Sequence, residues 1–593
     1  MTTAEKLASL RAWMEKNSVN AAIIPNADPH NNEYQAPRWL SRQWLSGLKG
    51  SNGTVVVTAE KAGLWTDSRY YEAAEEALAG SEIKLFRASD PGVDSIIDWL
   101  KSELKAGDVV SFSGNDISEA DASSWVSSLK VADISANTEL DPVDEIWTDR
   151  PAEPCGKLDL VAEELTGQST EEKLKDLRAL MQKKGVQVYL LGRTDESNWL
   201  LNFRGTDMEN HPTPYCYTLV SADEAIFFID EGKLSDEAKR KFTAAGFTIR
   251  GYGEVASVLE ELDKDTRLLM VPRYTNHNLY KAGSHCFLIK ERALATDLKG
   301  VKNEVEMENT RKVMIEDGAA MVRFYFWMYS ELQAGRKVTE LSASKKLLEC
   351  RQAISGFRHV SFDSIMGYKA HGALNHYSVD ENSDVEVTLD GIFLIDSGGN
   401  FENGTSDTTR VIPMGTPTQE QKIDYTLVLK CLIELITAEF PEDATCAQLD
   451  GICRRPMWQH HRLYRHGTGH GVGYGLEVHE GPQNFSGLTT ERMYEGMLST
   501  IEPGIYRSGE YGIRIENMVH TVKSADTPFG KFFKFENLTF CPINVDLVDT
   551  AYMDDCHIEW LNDYNAQVVE KLSPLLNEDE VSWLKHECRP VGK

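Results

Sequence analysis

No Cys-x-x-Cys pair occurs in the 593 residues, and the ten cysteines are scattered singly along the chain. That spacing excludes a dense disulfide framework and paired-thiolate zinc sites, and it points to a reducing compartment. Equally absent is any apolar run near the 18 or so residues that a membrane span needs, and the opening MTTAEKLASLRAWMEK lacks the apolar stretch of a secretion signal. A soluble, cytoplasmic protein without a membrane partner is expected. Positive charge is the third scarcity, with 62 Lys and Arg against 92 Asp and Glu and a net charge of −30. Such a surface repels phosphate backbones, so nucleic acid is not an expected partner. Length is what the chain has in quantity, enough for about three to five domains with a sizeable core.

The first half repeats itself. LASLRAWMEKNSVNAAIIPNAD at 7–28 is echoed by LKDLRALMQKKGVQVYLLGRTD at 174–195, and Leu10, Arg11, Met14, Val19 and Asp28 recur as Leu177, Arg178, Met181, Val186 and Asp195 at a constant offset of 167. Trp44 with Lys49-Gly50 is echoed by Trp199 with Arg204-Gly205, so the first copy carries an insertion. Each copy predicts a helix, a strand, a Trp-bearing segment and further strands. Pro151 and Pro154 place a boundary near 153. A long helical pattern opening near 303 and running toward Gln333 places the next. The expected domains are therefore 1–153, 154–302 and 303–593. Within the third, a second amphipathic helix is predicted over 418–439 from Ile423, Leu427, Cys431 and Leu435 at spacings of four.

Chemistry concentrates between 391 and 516. Asp396 ends the apolar run GIFLIDSGG, and Asp407 follows a Gly/Asn-rich turn in TSDTTRVIP, which predicts two strands of a hairpin. With the two Asp opposite one another, their Cβ atoms would lie about 5 Å apart, near enough to share ions separated by about 3.5 to 4 Å. His470 stands in RHGTGHGVGYG, whose alternating glycines exclude a regular helix. Glu502 closes a strand before Pro503-Gly504, and Glu516 sits in the alternating YGIRIENMV. Taken singly, each acid would be ordinary solvated surface. A carboxylate ending an apolar strand, however, is costly to bury unless it is paired or bound to metal. Four carboxylates and one imidazole form a mostly oxygen donor set, which suits Mn(II) or a related first-row ion and leaves Zn(II) and Co(II) open. Two other motif readings fail. His479-Glu480 has Gln483 where an HExxH zinc helix needs His, and the glycines from 467 to 475 offer no GxGxxG register.

Taken in order, SFDSIMGYKAHGALNHY, LIDSGGNFENGTSDTTR, HGTGHGVG, VHEGP, EPGIY and GIRIEN resemble the signature of the pita-bread metallopeptidases, most closely the aminopeptidase P group. The resemblance covers the whole chain. EIWTDRP at 145–151 is similar to the junction of the first two domains in the long, three-domain type, and FENLTFCPINVDLVD with WLNDYN is similar to its C-terminal extension, here from about 530. The fold so implied is α/β and α+β, with two creatinase-like N-terminal α/β domains before a pita-bread catalytic domain whose curved, mainly antiparallel sheet carries the metals. The resemblance implies two divalent ions, Mn2+ before Zn2+ or Co2+, with Asp407 and Glu516 bridging them, Asp396 on one ion, and His470 with Glu502 on the other. A hydroxide bridging the ions is the implied nucleophile, and Glu502 is also a candidate general base. His376, His466 and His479 are implied around the scissile bond as catalytic groups, His376 and His479 also binding substrate. Arg69 in LWTDSRYY matches an arginine that holds the peptide, a structural salt bridge being the other reading. His371 is extra in its segment, and Ile501 stands where many relatives carry Asp. The implied activity is removal of the N-terminal residue from peptides with proline second, by a homodimer. Prolidase shares the five ligands and is the alternative, and a non-catalytic binding module is more distant. A metal-free creatinase-like reaction is disfavoured because all five ligands are present. Phe532, Phe533, Phe535 and Trp560 in the extension suit either a subunit contact or the core.

Overall fold

The computed structural model describes residues 1–593. The chain forms two compact units, one of residues 1–161 with 168–295 and the other of 162–167 with 296–593.

The repeat legible in the sequence becomes two six-stranded sheets of one plan in the first unit. Strands 83–87, 62–66, 54–58, 21–25, 109–111 and 135–137 lie side by side in that order, and 247–250, 225–228, 217–221, 188–191, 267–269 and 287–288 do the same. In each sheet two antiparallel pairings at the centre are flanked by parallel ones. Helix Thr3–Lys16 is matched by Thr170–Lys184, and both begin with a capping box. Thr2 and Glu5 satisfy each other's backbone N–H groups, as do Ser169 and Glu172, which supplies partners to helix-end donors that would otherwise lack them. Leu10 and Leu177 are wholly buried, each contributing about 1.5 to 3 kcal/mol. The repeated arginine plays the same part in both copies, since Arg11 Nε donates to the Thr58 carbonyl at 3.1 Å and Arg178 Nε to that of Ser221 at 2.8 Å, each at the end of a central strand.

The longest helix of the second unit, Glu304–Gln333, has its first turn capped by the Asn303 side chain. The predicted 418–439 helix spans Gln419–Ile436 and packs with Cys446–Gln459 on a core that includes Leu432, Leu449, Phe485, Ile501 and Ile513. Two sheets carry the chemistry. Ile392–Ser397 lies between Ile365–Tyr368 and Thr408–Pro413 in the first, while the second runs 440–441, 530–537, 517–527, 498–501, 469–471 and 480–485. Phe533 and Phe535 join the core, with Phe535 5.1 Å from the Phe440 ring, and Phe532 and Trp560 are partly buried. The core thus takes Phe533 and Phe535. All ten cysteines are free thiols.

Candidate metal centre

The strands bearing Asp396 and Asp407 do pair, but with a shifted register. Asp396 sits opposite Thr409, and Asp407 lies just before the strand Thr408–Pro413. The directly opposed pair expected from the sequence is therefore replaced by a diagonal one, two residues out of register. The reason is local: the chain between them forms its own small strand pair, Gly399–Phe401 with Gly404–Thr405. A Cβ on Gly398 would lie 1.9 Å from the Ser406 carbonyl oxygen, so only glycine lets the two backbones meet beside Asp396 and Asp407.

His470 is the middle residue of the short strand Gly469–Gly471, Glu502 directly follows Leu498–Ile501, and Glu516 lies between Tyr511–Arg514 and Asn517–Thr527. Ligand atoms of Asp407, His470 and Glu516 all fall within 4.8 Å of one another. His470 Nε2 lies 3.4 Å from Asp407 Oδ2 and 3.7 Å from Glu502 Oε1. Its Nδ1 is 2.8 Å from the Gly471 carbonyl, which only accepts, so Nδ1 carries a proton and Nε2 turns toward the acids. Burial, then the charges of Asp407, Asp396 and Glu502, push the Glu516 carboxyl well above its usual range. Burial also lifts Glu502 to about 6, offset in part by His470 and Arg514. Asp396 is raised by burial and by Asp407 against the pull of Arg514.

Arg514 is the residue that sequence reasoning passed over. Its guanidinium pairs with Asp396, donates to Thr409 Oγ1 at 3.2 Å and to the Tyr506 hydroxyl at 2.6 Å. Thr409 in turn donates to Glu516 Oε2 at 2.8 Å. Tyr506 completes the chain at 3.0 Å from His466 Nε2, which links His466 to the carboxylates. A signal existed, since Arg514 shares a strand face with Glu516 by the alternation of IRIEN. His479 packs edge-on to His470 with ring centroids 4.3 Å apart. His376 is half-buried one residue before Tyr377. The Asp396 side chain retains one buried oxygen, Oδ1, with no hydrogen-bond partner. That open acceptor, together with an imidazole nitrogen facing carboxylates, is a donor set that divalent cations satisfy.

Known proteins of similar sequence and fold identify the chain's family. Residues 308–523 match metallopeptidase family M24 and 531–591 its C-terminal region, while 6–146 and 149–306 each match the creatinase/prolidase N-terminal domain. A probable Xaa-Pro aminopeptidase P of Laccaria bicolor is 37% identical across 100% of this chain and 94% of its own length. The chain belongs to metallopeptidase family M24.

Two further relatives match over nearly the whole chain, and one more over part of it. Aminopeptidase P2 of Arabidopsis thaliana is 36% identical over 99% of this chain and 89% of its own. The crystal structure of X-prolyl aminopeptidase from Caenorhabditis elegans, described as a cytosolic enzyme with a di-nuclear active site, superposes with a TM-score of 0.95 at 33% identity, covering all of both chains. An Xaa-Pro dipeptidase from Bacillus anthracis shares the fold at 23% identity, over 63% of this chain and 99% of its own, with a TM-score of 0.50.

Two further residues of this M24 chain complete the picture. Arg410, one residue past Thr409, is wholly buried and donates to the backbone oxygen of Glu516 at 2.7 Å, to Asn517 Oδ1 at 2.8 Å, to the Tyr564 hydroxyl at 2.7 Å and to the Cys541 carbonyl at 3.0 Å. The C-terminal region thereby grips the backbone between the acids. Arg69, in the first unit, forms a two-point ion pair with Asp67, Nε at 3.0 Å and Nη2 at 2.7 Å. That is the salt-bridge geometry left open by the sequence.

Proposed function

We propose that the chain is a two-metal Xaa-Pro aminopeptidase acting on peptides with proline at the second position, in which Asp396, Asp407, His470, Glu502 and Glu516 would hold the ions. The observation that carries the reading is the excess of buried acid. Four carboxylates converge on one arginine and one histidine, with Asp396 Oδ1 left unpartnered. Two bound divalent ions would supply Lewis-acid polarisation of the scissile carbonyl and a hydroxide nucleophile near neutral pH. Mn2+ suits this oxygen-rich set, and the Caenorhabditis elegans relative supports a dinuclear, cytosolic enzyme.

The chain's own groups do the remainder. Arg514 holds Asp396 and, through Thr409, orients Glu516. Glu502 serves as general base for the attacking water and passes its proton to the departing proline nitrogen. His376 and His479 bind the substrate, and one of the two donates to the carbonyl oxygen as its charge develops, the use to which preorganised donors are best suited. His466, fixed by Tyr506, belongs to the same catalytic group. Arg69, oriented by its ion pair with Asp67, is the proposed peptide-binding residue of the first unit, and the working form is a homodimer.

Hydrolysis of an Xaa-Pro-Xaa tripeptide against an Xaa-Pro dipeptide tests this, using metal-stripped protein with and without Mn(II). Metal-restored cleavage that favours the tripeptide is the expected result. Preference for the dipeptide would move the assignment to prolidase, and failure with every divalent ion would leave a binding module.

A further inference from the structure

The extra histidine of KAHGALNHY, which the proposed reaction does not use, faces a fully buried carboxylate. Glu340 is the first residue of helix Glu340–Gln352, directly after its Thr339 cap, where the helix dipole favours negative charge. Every hydrogen bond its carboxylate accepts comes from one stretch of chain: the Tyr368 N–H at 2.7 Å, His371 Nδ1 at 3.0 and 2.9 Å from its two oxygens, and the Tyr377 hydroxyl at 2.8 Å. The His371 and Tyr377 rings also pack together, 4.5 Å between centroids. These donors bracket His376.

The opposite side of this stretch is seated on the strands of the metal centre. A Cβ on Gly512 would lie 1.7 Å from the Gly372 carbonyl oxygen, and one on Gly367 would lie 2.6 Å from Gly372 Cα. Gly512 belongs to the strand that ends at Arg514, and the strand of Gly367 begins at Ile365, which pairs with Asp396. Between them, Lys369 holds a left-handed backbone with φ of 50°. A residue with a side chain keeps such a conformation only where its surroundings over-determine it.

We propose that His371 is a positioning residue: with Glu340 it clasps residues 368–377 against the metal-centre strands and so fixes where His376 meets the substrate. The inference rests on the reading of His376 as a substrate-binding group. A carboxylate buried so deeply is costly without its donors, so losing one releases the stretch rather than merely a contact. Displacing a catalytic group by about 1 Å costs on the order of a hundredfold in rate.

The test uses the full chain loaded with Mn(II), the variants His371→Ala, His371→Asn and His376→Ala, and the double variant His371→Ala with His376→Ala. His371→Ala is expected to lower kcat about 10- to 100-fold with KM and bound metal little changed. His371→Asn, which keeps an N–H donor, should recover most of that loss. The double variant should be no slower than His376→Ala alone, since residues acting through one another do not add. Backbone amides of 368–377 should exchange with deuterium faster in His371→Ala. Unchanged exchange, or a loss of rate that adds in full to that of His376→Ala, overturns the clasp. If the wild-type protein cleaves no Xaa-Pro peptide, the proposed function fails by itself, and the exchange measurement still decides the clasp.

Discussion

The first unit and the metal centre of the second both bury acids, and they treat them in opposite ways. In the first unit the buried carboxylates of Asp28, Asp195 and Asp207 are satisfied within the chain. Asp28 accepts from the Tyr215 hydroxyl at 2.7 Å, from the backbone of His30 and Asn32, and from the Asn32 amide. Its repeat counterpart Asp195 is held by Arg193 at 2.8 and 3.0 Å, and Asp207 pairs with buried Lys233 while accepting the N–H groups of Gly156 and Tyr215. In the second unit the acids of the metal centre crowd one another, and Asp396 keeps an oxygen unpartnered. The difference teaches where function lies: a buried acid with a full set of donors supports the fold, and buried acids in excess of their donors await a cation.

The comparison breaks most visibly at Asp407. Asp407→Asn should lower turnover of an Xaa-Pro-Xaa peptide by at least about a thousandfold, judged from the size of electrostatic contributions to catalysis. The metal-free variant should melt no lower than the metal-free parent, because one of several repelling charges has gone. A folded variant with full activity would sink the two-metal assignment. The mirror experiment is Asp207→Asn in the first unit, which strands the Lys233 ammonium. It should cost about 3 to 5 kcal/mol of stability, read by denaturant unfolding, while the kcat of the folded fraction stays within about twofold of the parent, far from the change expected at a catalytic group.

Smaller effects sharpen the contrast. Tyr564→Phe takes one acceptor from the fully buried Arg410 guanidinium and should destabilise the second unit by about 1 to 3 kcal/mol, with a loss of bound metal that equilibrium dialysis would detect. Retained stability and metal would detach the C-terminal region from the site. In the first unit, burial and the charge of Asp141 lift the Asp116 carboxyl to about 7, against the pull of Ser113 and Arg150. An acid raised on folding contributes stability that is fully present below its unfolded value near 4 and is lost as pH rises through 7. Asp116→Asn should therefore flatten that decline, gaining on the order of 1 kcal/mol at pH 8 over the parent. Thermal melts at pH 5 and pH 8 would show it, and parallel pH profiles for the two proteins would remove Asp116 as the cause.

The features legible in the sequence are those written in local chemistry. The offset of 167 between Leu10 and Leu177 marked two related folding units because a repeated helix and strand must bury the same face, and the matching sheets share that plan. The long helical pattern opening near 303 and the spacing from Ile423 to Leu435 marked two helices for similar reasons. Asp396, His470 and Glu502 were conspicuous because each interrupts an apolar or glycine-rich context where an acid or imidazole is expensive to bury.

The partners of those residues were hidden. Asp396 is held by Arg514, which lies 118 residues further along the chain, and Arg410 reaches Tyr564 across 154. Nothing in either neighbourhood names its partner. His371 looked like a spare histidine until folding set it against Glu340, 31 residues earlier. Sequence alone determined which residues could not be ordinary surface, since composition, capping and periodicity act over a few turns or strands. Only the tertiary structure decided the register that sets Asp407 diagonal to Asp396, and which cations each buried acid receives, because burial and charge pairing depend on distances the chain acquires by folding.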